Sequence, residues 1–158
     1  MQILIMRHGQ ADLLVQPDQE KPLTAQGELE VTLMASWMKK MAYQPDVVWV
    51  SPYLRAQQTC NRVVEGMNLT CPVITQSFIT PAGVASQVHD IIDGEIATNN
   101  IDSLLIVAHM PVVSYLVDSL TKHQHAPIFQ TASIVEIDYQ PEQMVGNYTR
   151  MVSPIDLC

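Results

Sequence analysis

Lysine and arginine together number only 8 against 16 aspartates and glutamates, and charged residues of both signs make up just 15% of the 158-residue chain. A formal net charge of −8 argues against a basic surface, and with it against nucleic acid or an anionic membrane as the main partner. Cysteine is scarce as well. Cys60, Cys71 and Cys158 are odd in number and form no CxxC pair, so neither a disulfide framework nor a zinc knuckle is expected, and no metal is assigned. No apolar run approaches the roughly 18 residues of a membrane span, and the apolar start, Met1 to Met6, is too short for a signal-peptide core. Internal repeats and a glycine-rich nucleotide loop are missing too. Neither Cys60 nor Cys71 is followed six residues later by arginine, which removes the cysteine-phosphatase loop. These absences lead us to expect a cytoplasmic, monomeric protein with no cofactor.

What the chain does have is core. Hydrophobic residues are 47% of the total, enough for one domain over residues 1–158 that buries about two thirds of its unfolded surface. Ile3-Leu4-Ile5-Met6 reads as a buried strand and ends abruptly in Arg7-His8-Gly9. Gln10 to Pro22 is polar and aperiodic, a loop. Thr24 then caps a helix with Leu33, Met34, Trp37, Met38 and Met41 on its apolar face, the methionines being core packing. Val47-Val48-Trp49-Val50 is a second continuous-apolar strand, ending at Ser51-Pro52. A helix from Tyr53 to about Glu65 follows, with Arg55 in its opening turn and Gly66 as its stop. Pro72 to Thr75 reads as a short strand and Thr80-Pro81-Ala82-Gly83 as a turn. Val84, Val88, Ile91, Ile92 and Ile96 mark a third amphipathic helix. Leu104 to Ala108 is the clearest buried strand; His109 follows it, and Met110-Pro111 opens a helix to about Leu120. Ala132 to Tyr139 alternates as an edge strand would, paired through a turn with Tyr148 to Val152. Alternating strands and helices predict an α/β fold: a mostly parallel sheet with helices on both faces and an antiparallel addition near the C-terminus.

Three predicted strands therefore deliver charged or titratable groups at their carboxyl ends: Arg7 and His8, then Arg55 one turn on, then His109. Two of only four arginines in the chain fall here. Right-handed crossovers bring such ends to one side of a parallel sheet, where ligands bind. Arginine forks hold phosphate oxygens bidentately, helix amino ends add N–H donors, and a neutral imidazole can attack phosphorus when its other nitrogen donates to a carbonyl. The pattern points to a phosphate site, with His8 as nucleophile and Arg7, Arg55 and His109 around it. Gly9, through close backbone approach, and Gln10, beside it, are further candidate binding residues. His123 and His125 flank Gln124, and without a cysteine or carboxylate cluster nearby they read as a plain loop.

Arg7-His8-Gly9 together with Ser51-Pro52-Tyr53-Leu54-Arg55-Ala56-Gln57-Gln58-Thr59 and Val107-Ala108-His109 resembles the histidine phosphatase superfamily, also called phosphoglycerate mutase-like. The short length, with Lys21-Pro22-Leu23-Thr24 and Pro111-Val112-Val113-Ser114-Tyr115-Leu116, is most similar to its SixA-type phosphohistidine phosphatases. The resemblance implies His8 as the residue phosphorylated in an intermediate, Arg7, Arg55 and His109 as the phosphate pocket, and a histidine-phosphorylated phosphotransfer (HPt) protein as substrate and partner. One departure fits it. Members acting on phosphate esters carry an acidic residue between the second and third helices, whereas Ser77 to Val84 contains none. An imidazole leaving group needs far less protonation than an alkoxide. Asp90 and Asp93 are the remaining candidates for a general acid, with the solvated face of the third helix as their expected place. A small-molecule phosphomonoesterase and a non-catalytic phosphohistidine-binding module remain the alternatives.

Overall fold

The computed structural model describes residues 1–158. Its strands are β1 (Gln2–Arg7), β2 (Val47–Val50), β3 (Val73–Thr75), β4 (Ser103–Ala108), β5 (Ile134–Gln140) and β6 (Val145–Val152). The helices are α1 (Ala25–Lys40), α2 (Leu54–Met67), α3 (Ala85–Thr98) and α4 (Val112–Leu120). One six-stranded sheet runs in the order β3-β2-β4-β1-β5-β6. The first four are parallel neighbours, and β5 joins β1 antiparallel and carries β6.

Side chains of the central strands alternate between two cores, as the period-2 geometry of a strand requires. Ile3, Ile5, Trp49, Leu104 and Ile106 pack with Val88 and Ile92 of α3 and Val113 and Val117 of α4. Leu4, Met6, Val48, Leu105 and Val107 pack with Met34 and Met38 of α1 and Cys60 and Val63 of α2. Both faces of β1, β2 and β4 are covered, which is why these strands read as unbroken apolar runs.

Thr24 caps α1 as expected, its side-chain oxygen accepting from the Gly27 amide at 3.0 Å. Three local expectations change. Helix α2 passes through Gly66 and ends at Met67, with Asn68 supplying the left-handed residue at φ 54°; Gly66 instead lets α1 approach, since a β-carbon there would lie 3.0 Å from that of Ala35. Strand β5 is interior, not an edge, because β6 covers its outer side. Met41 falls at the C-cap of α1 and is 37% exposed, so of the three methionines read on this helix only Met34 and Met38 are core. No helix is long and apolar enough to cross a membrane.

Candidate active site

Register brings the predicted residues together. Arg7 pairs with Ala108 across β1 and β4, and Val50 with Val107 across β2 and β4. The backbone continues in step: the His8 amide donates to the Ala108 carbonyl at 3.0 Å, and the Ser51 amide to the Val107 carbonyl at 3.1 Å. His8, His109 and Ser51 thus leave three adjacent strand ends side by side. The rings of His8 and His109 are 5.1 Å apart between centroids.

The glutamines and threonine after Arg55 hold this arrangement. Gln57 Nε2 donates to the Ser51 carbonyl at 2.8 Å, and Gln58 Oε1 accepts from the Leu23 amide at 2.7 Å. Thr59 Oγ1 accepts from the Gly9 amide at 3.1 Å while donating to the Arg55 carbonyl at 2.8 Å. A single helix therefore fixes β2, the end of the 10–22 loop and the residue after His8. Gly9 does not offer its amide to a ligand. Its close approach is to α1, where a β-carbon would meet the Gly27 carbonyl oxygen at 2.7 Å.

A carbonyl fixes the tautomer of His8, and a hydroxyl holds His109. His8 Nδ1–H donates to the Gly9 carbonyl at 2.7 Å, leaving Nε2 with its lone pair, and the Arg55 Nε–H points to that nitrogen at 3.2 Å. Ser51 Oγ accepts from the Tyr53 amide at 3.3 Å, so its own proton is available to His109 Nε2 at 2.6 Å. With Ser51 as the donor in that bond, the proton of His109 sits on Nδ1, which is buried and has no partner. Arg7 donates through Nη1 to the Phe129 carbonyl at 2.7 Å, and its buried Nε is likewise unpartnered. Two buried donors without acceptors beside a nucleophilic nitrogen suit an incoming oxyanion.

Burial, reinforced by the cationic Arg55 and Arg7 and offset in part by the Gly9 hydrogen bond and Asp18, pushes the His8 imidazole down to about 4. Burial followed by His8, Arg55 and Arg7 pushes His109 down to about 2. Both rings are neutral near pH 7, as attack by one and donation from Nδ1 of the other require.

The pocket in front of these groups has a volume of about 280 Å³ and is lined by Arg7, His8 and Arg55 together with Gln10, Asp18 and Lys21 among others. Gln10 is anchored at its edge, with its amide on Glu30 Oε1 at 2.9 Å and its side-chain oxygen accepting from Thr24 Oγ1 at 2.7 Å. Asp18 has no signature in the sequence, and Lys21 enters it only as part of the Lys21-Pro22-Leu23-Thr24 element, with no site role read from it. Asp18 takes two Arg55 donors, Nη1 on its carbonyl at 2.7 Å and Nη2 on Oδ2 at 3.2 Å.

Of the other carboxylates considered, Asp90 is exposed. Asp93 is not on the solvated face: it accepts from the Tyr139 hydroxyl and has a side chain 19% exposed. Tyr139 is bonded to Met1 at the start of β1, so Asp93 lies at the opposite end of the sheet from His8. His123 pairs with Asp118 at 2.7 Å while His125 stacks on Tyr148, and nowhere do three His, Cys, Asp or Glu side chains gather as a metal would need.

Such a sheet, with Arg7, His8 and Arg55 lining an open pocket at its parallel strand ends and the buried ring of His109 beside His8, defines an α/β protein built to handle a tetrahedral oxyanion. The profile of the histidine phosphatase superfamily (branch 1) matches residues 3–79. The phosphohistidine phosphatase SixA of Escherichia coli (strain K12) is 34% identical over 157 residues, 99% of this chain and 96% of that protein. A SixA homolog of Haemophilus influenzae is 31% identical over 144 residues, 87% of each chain. A solved structure of the protein histidine phosphatase SixA complexed with tungstate superposes with a TM-score of 0.94 at 34% identity, covering 100% of both chains. The chain belongs to the histidine phosphatase superfamily.

Proposed function

We propose that this protein is a phosphohistidine phosphatase of the cytoplasm, acting as a monomer and single domain on a histidine-phosphorylated phosphotransfer (HPt) protein without a cofactor. In the first step the lone pair of His8 Nε2 attacks phosphorus and the P–N bond of the substrate breaks. Its electron pair stays on the departing imidazole, which takes a proton from solvent. In the second step water attacks phospho-His8, and inorganic phosphate leaves with His8 regenerated. Arg7, Arg55 and His109 Nδ1–H stabilise the charge spread over the equatorial oxygens.

The observation that carries this reading is the state of the one carboxylate lining the pocket. Partial burial would raise the Asp18 carboxyl, but hydrogen bonds and charge from Arg55 and Lys21 outweigh it and hold the group below the usual carboxylate range. Lys21 keeps an ion pair on Oδ1 even when a phosphoryl group takes the Arg55 fork, so an ionised Asp18 has no proton to give a leaving group. An imidazole departs without one far more readily than an alkoxide, so phosphohistidine suits the pocket and phosphate esters do not. The relatives named phosphohistidine phosphatase and the tungstate held by one of them agree with this chemistry.

The test is turnover of a histidine-phosphorylated phosphotransfer domain beside p-nitrophenyl phosphate, with wild type and His8→Ala. We expect strong preference for the phosphoprotein and a loss of at least about 10⁴-fold in His8→Ala with the fold intact. Retained activity in His8→Ala would overturn the mechanism; preference for the ester would make the protein a phosphomonoesterase, and no turnover of either would make it a binding module.

A further inference from the structure

The segment between β1 and α1 reaches back over the site and places Asp18 on Arg55. All three nitrogens of that guanidinium are engaged: Nε on His8 Nε2 at 3.2 Å, Nη1 on the Asp18 carbonyl at 2.7 Å and Nη2 on its carboxylate at 3.2 Å. The other carboxylate oxygen, Oδ1, is 3.5 Å from Lys21 Nζ, whose side chain is only 16% exposed. Asp18 therefore occupies the arginine that a phosphate would need, with a second cation at its other oxygen.

We propose that Asp18 is an internal competitor for Arg55 that keeps the pocket from retaining free phosphate. This rests on the reading of the pocket as a phosphoryl site. A tetrahedral dianion entering the pocket must take the Arg55 fork from a carboxylate already bonded to it, and once bound it faces that carboxylate's charge. Lys21 gives Asp18 somewhere to go. The displaced carboxylate keeps an ion pair on Oδ1, so the exchange does not leave a bare anion in the wall. The penalty falls on every phosphate ligand, but its consequence differs between them. A phosphoryl group arriving on a protein brings contacts outside the pocket that offset it, whereas inorganic phosphate, the product, has none. The carboxylate returns to Arg55 as product leaves, and this resets the covered state of His8.

The experiment is calorimetric titration of inorganic phosphate into wild type, Asp18→Asn, Asp18→Ser and Arg55→Ala, none of which needs a phosphoprotein. Asn keeps the shape and the backbone carbonyl contact while removing the charge; Ser removes the carboxylate and leaves a shorter hydroxyl, and thermal unfolding reports whether each variant folds. We expect phosphate to bind at least about fivefold tighter to both Asp18 variants, the scale of a partly exposed ion pair, with product inhibition in turnover strengthened by the same factor. Arg55→Ala should bind phosphate more weakly. Unchanged or weaker phosphate binding in folded Asp18 variants, with Arg55→Ala still impaired, overturns the competitor role alone. An Arg55→Ala protein that binds phosphate as wild type does overturns the site reading along with it. Failure to turn over phosphohistidine, with both binding shifts as expected, removes the proposed substrate and leaves the role of Asp18 standing.

Discussion

Arg55 Nε lies 3.2 Å from His8 Nε2, so in the free protein a hydrogen-bond donor covers the nitrogen proposed to attack phosphorus. The same fork would have to transfer its donors to phosphoryl oxygens for attack to begin. That exchange uses directional N–H groups as well as charge. Arg55→Ala is expected to lower the rate by about 10²- to 10³-fold. Arg55→Lys should recover little of it, because one ammonium cannot cover three separate acceptors. Single-turnover rates on a phosphohistidine protein, measured for both variants, decide between shape and charge; full rescue by lysine would show that only the charge matters.

In the proposed mechanism Ser51 reaches the substrate only through His109. Its hydroxyl lies 2.6 Å from His109 Nε2, and losing it removes the group that keeps the proton on Nδ1. We expect Ser51→Ala to reduce kcat by about 10- to 100-fold, the scale of a buried hydrogen-bonding group left without its partner, with a smaller change in KM. The ¹⁵N shifts of His109 should report a mixture of tautomers in the variant. An unchanged tautomer together with an unchanged rate would remove Ser51 from the mechanism.

The depressed imidazoles make a pH prediction whose sign follows from linkage. Above about pH 6.5, the ordinary histidine value, neither the folded nor the unfolded chain protonates His8 or His109, and the pair has no effect. As pH falls below that value the unfolded chain takes protons that the folded chain refuses until about 4 for His8 and about 2 for His109. Stability therefore declines, by up to about 1.4 kcal/mol per unit for each ring. The unfolding midpoint should drop between pH 7 and pH 5, and His8→Gln and His109→Gln should each reduce that drop. NMR titration should find neither ring protonated above pH 5. A ring titrating near 6.5 would contradict its burial.

The strand ends were legible because β1, β2 and β4 are covered on both faces and so read as unbroken apolar runs, each stopping at a polar group. Arg7, His8, Arg55 and His109 followed from that pattern alone. The pair Ser51–His109 did not, although Ser51 was seen as the end of β2: the two residues are 58 positions apart, and only the register of β2 against β4 brings them together. Asp18 had still less signal. It lies in a segment with no period, and its link to Arg55, 37 positions on, depends on how that segment folds back. Strand β5 reads as an edge in the sequence because some of its side chains are polar, as in Glu136 and Asp138. Glu136 faces polar partners, Tyr43 and Arg150, and Asp138 faces solvent, while the outer backbone is paired by β6. Asp93 departs from its expected solvated face for a similar reason: a carboxylate on an amphipathic helix is usually solvated, and nothing local announces the Tyr139 hydroxyl from β5.

Gly9 and Gly27 make a backbone-to-backbone contact that carries a last prediction. A β-carbon on Gly27 would lie 2.1 Å from the Gln10 carbonyl oxygen and 2.9 Å from its amide nitrogen, while one on Gly9 would lie 2.7 Å from the Gly27 carbonyl oxygen. Main chain stands on both sides, so neither clash is relieved by a rotamer change. Gly27→Ala must push α1 away from the segment that follows His8. We expect a loss of about 1–3 kcal/mol or more of stability, accompanied by a fall in activity, because the displaced segment carries the Gly9 carbonyl that fixes the His8 tautomer. Gly94→Ala is the matched control. Nothing lies within 4 Å of a β-carbon there, and alanine should stabilise α3 by about 0.5–1 kcal/mol. Thermal unfolding of the two variants should therefore shift in opposite directions, with activity following only the first; a Gly27→Ala protein as stable and active as wild type would show that α1 can move without disturbing the nucleophile.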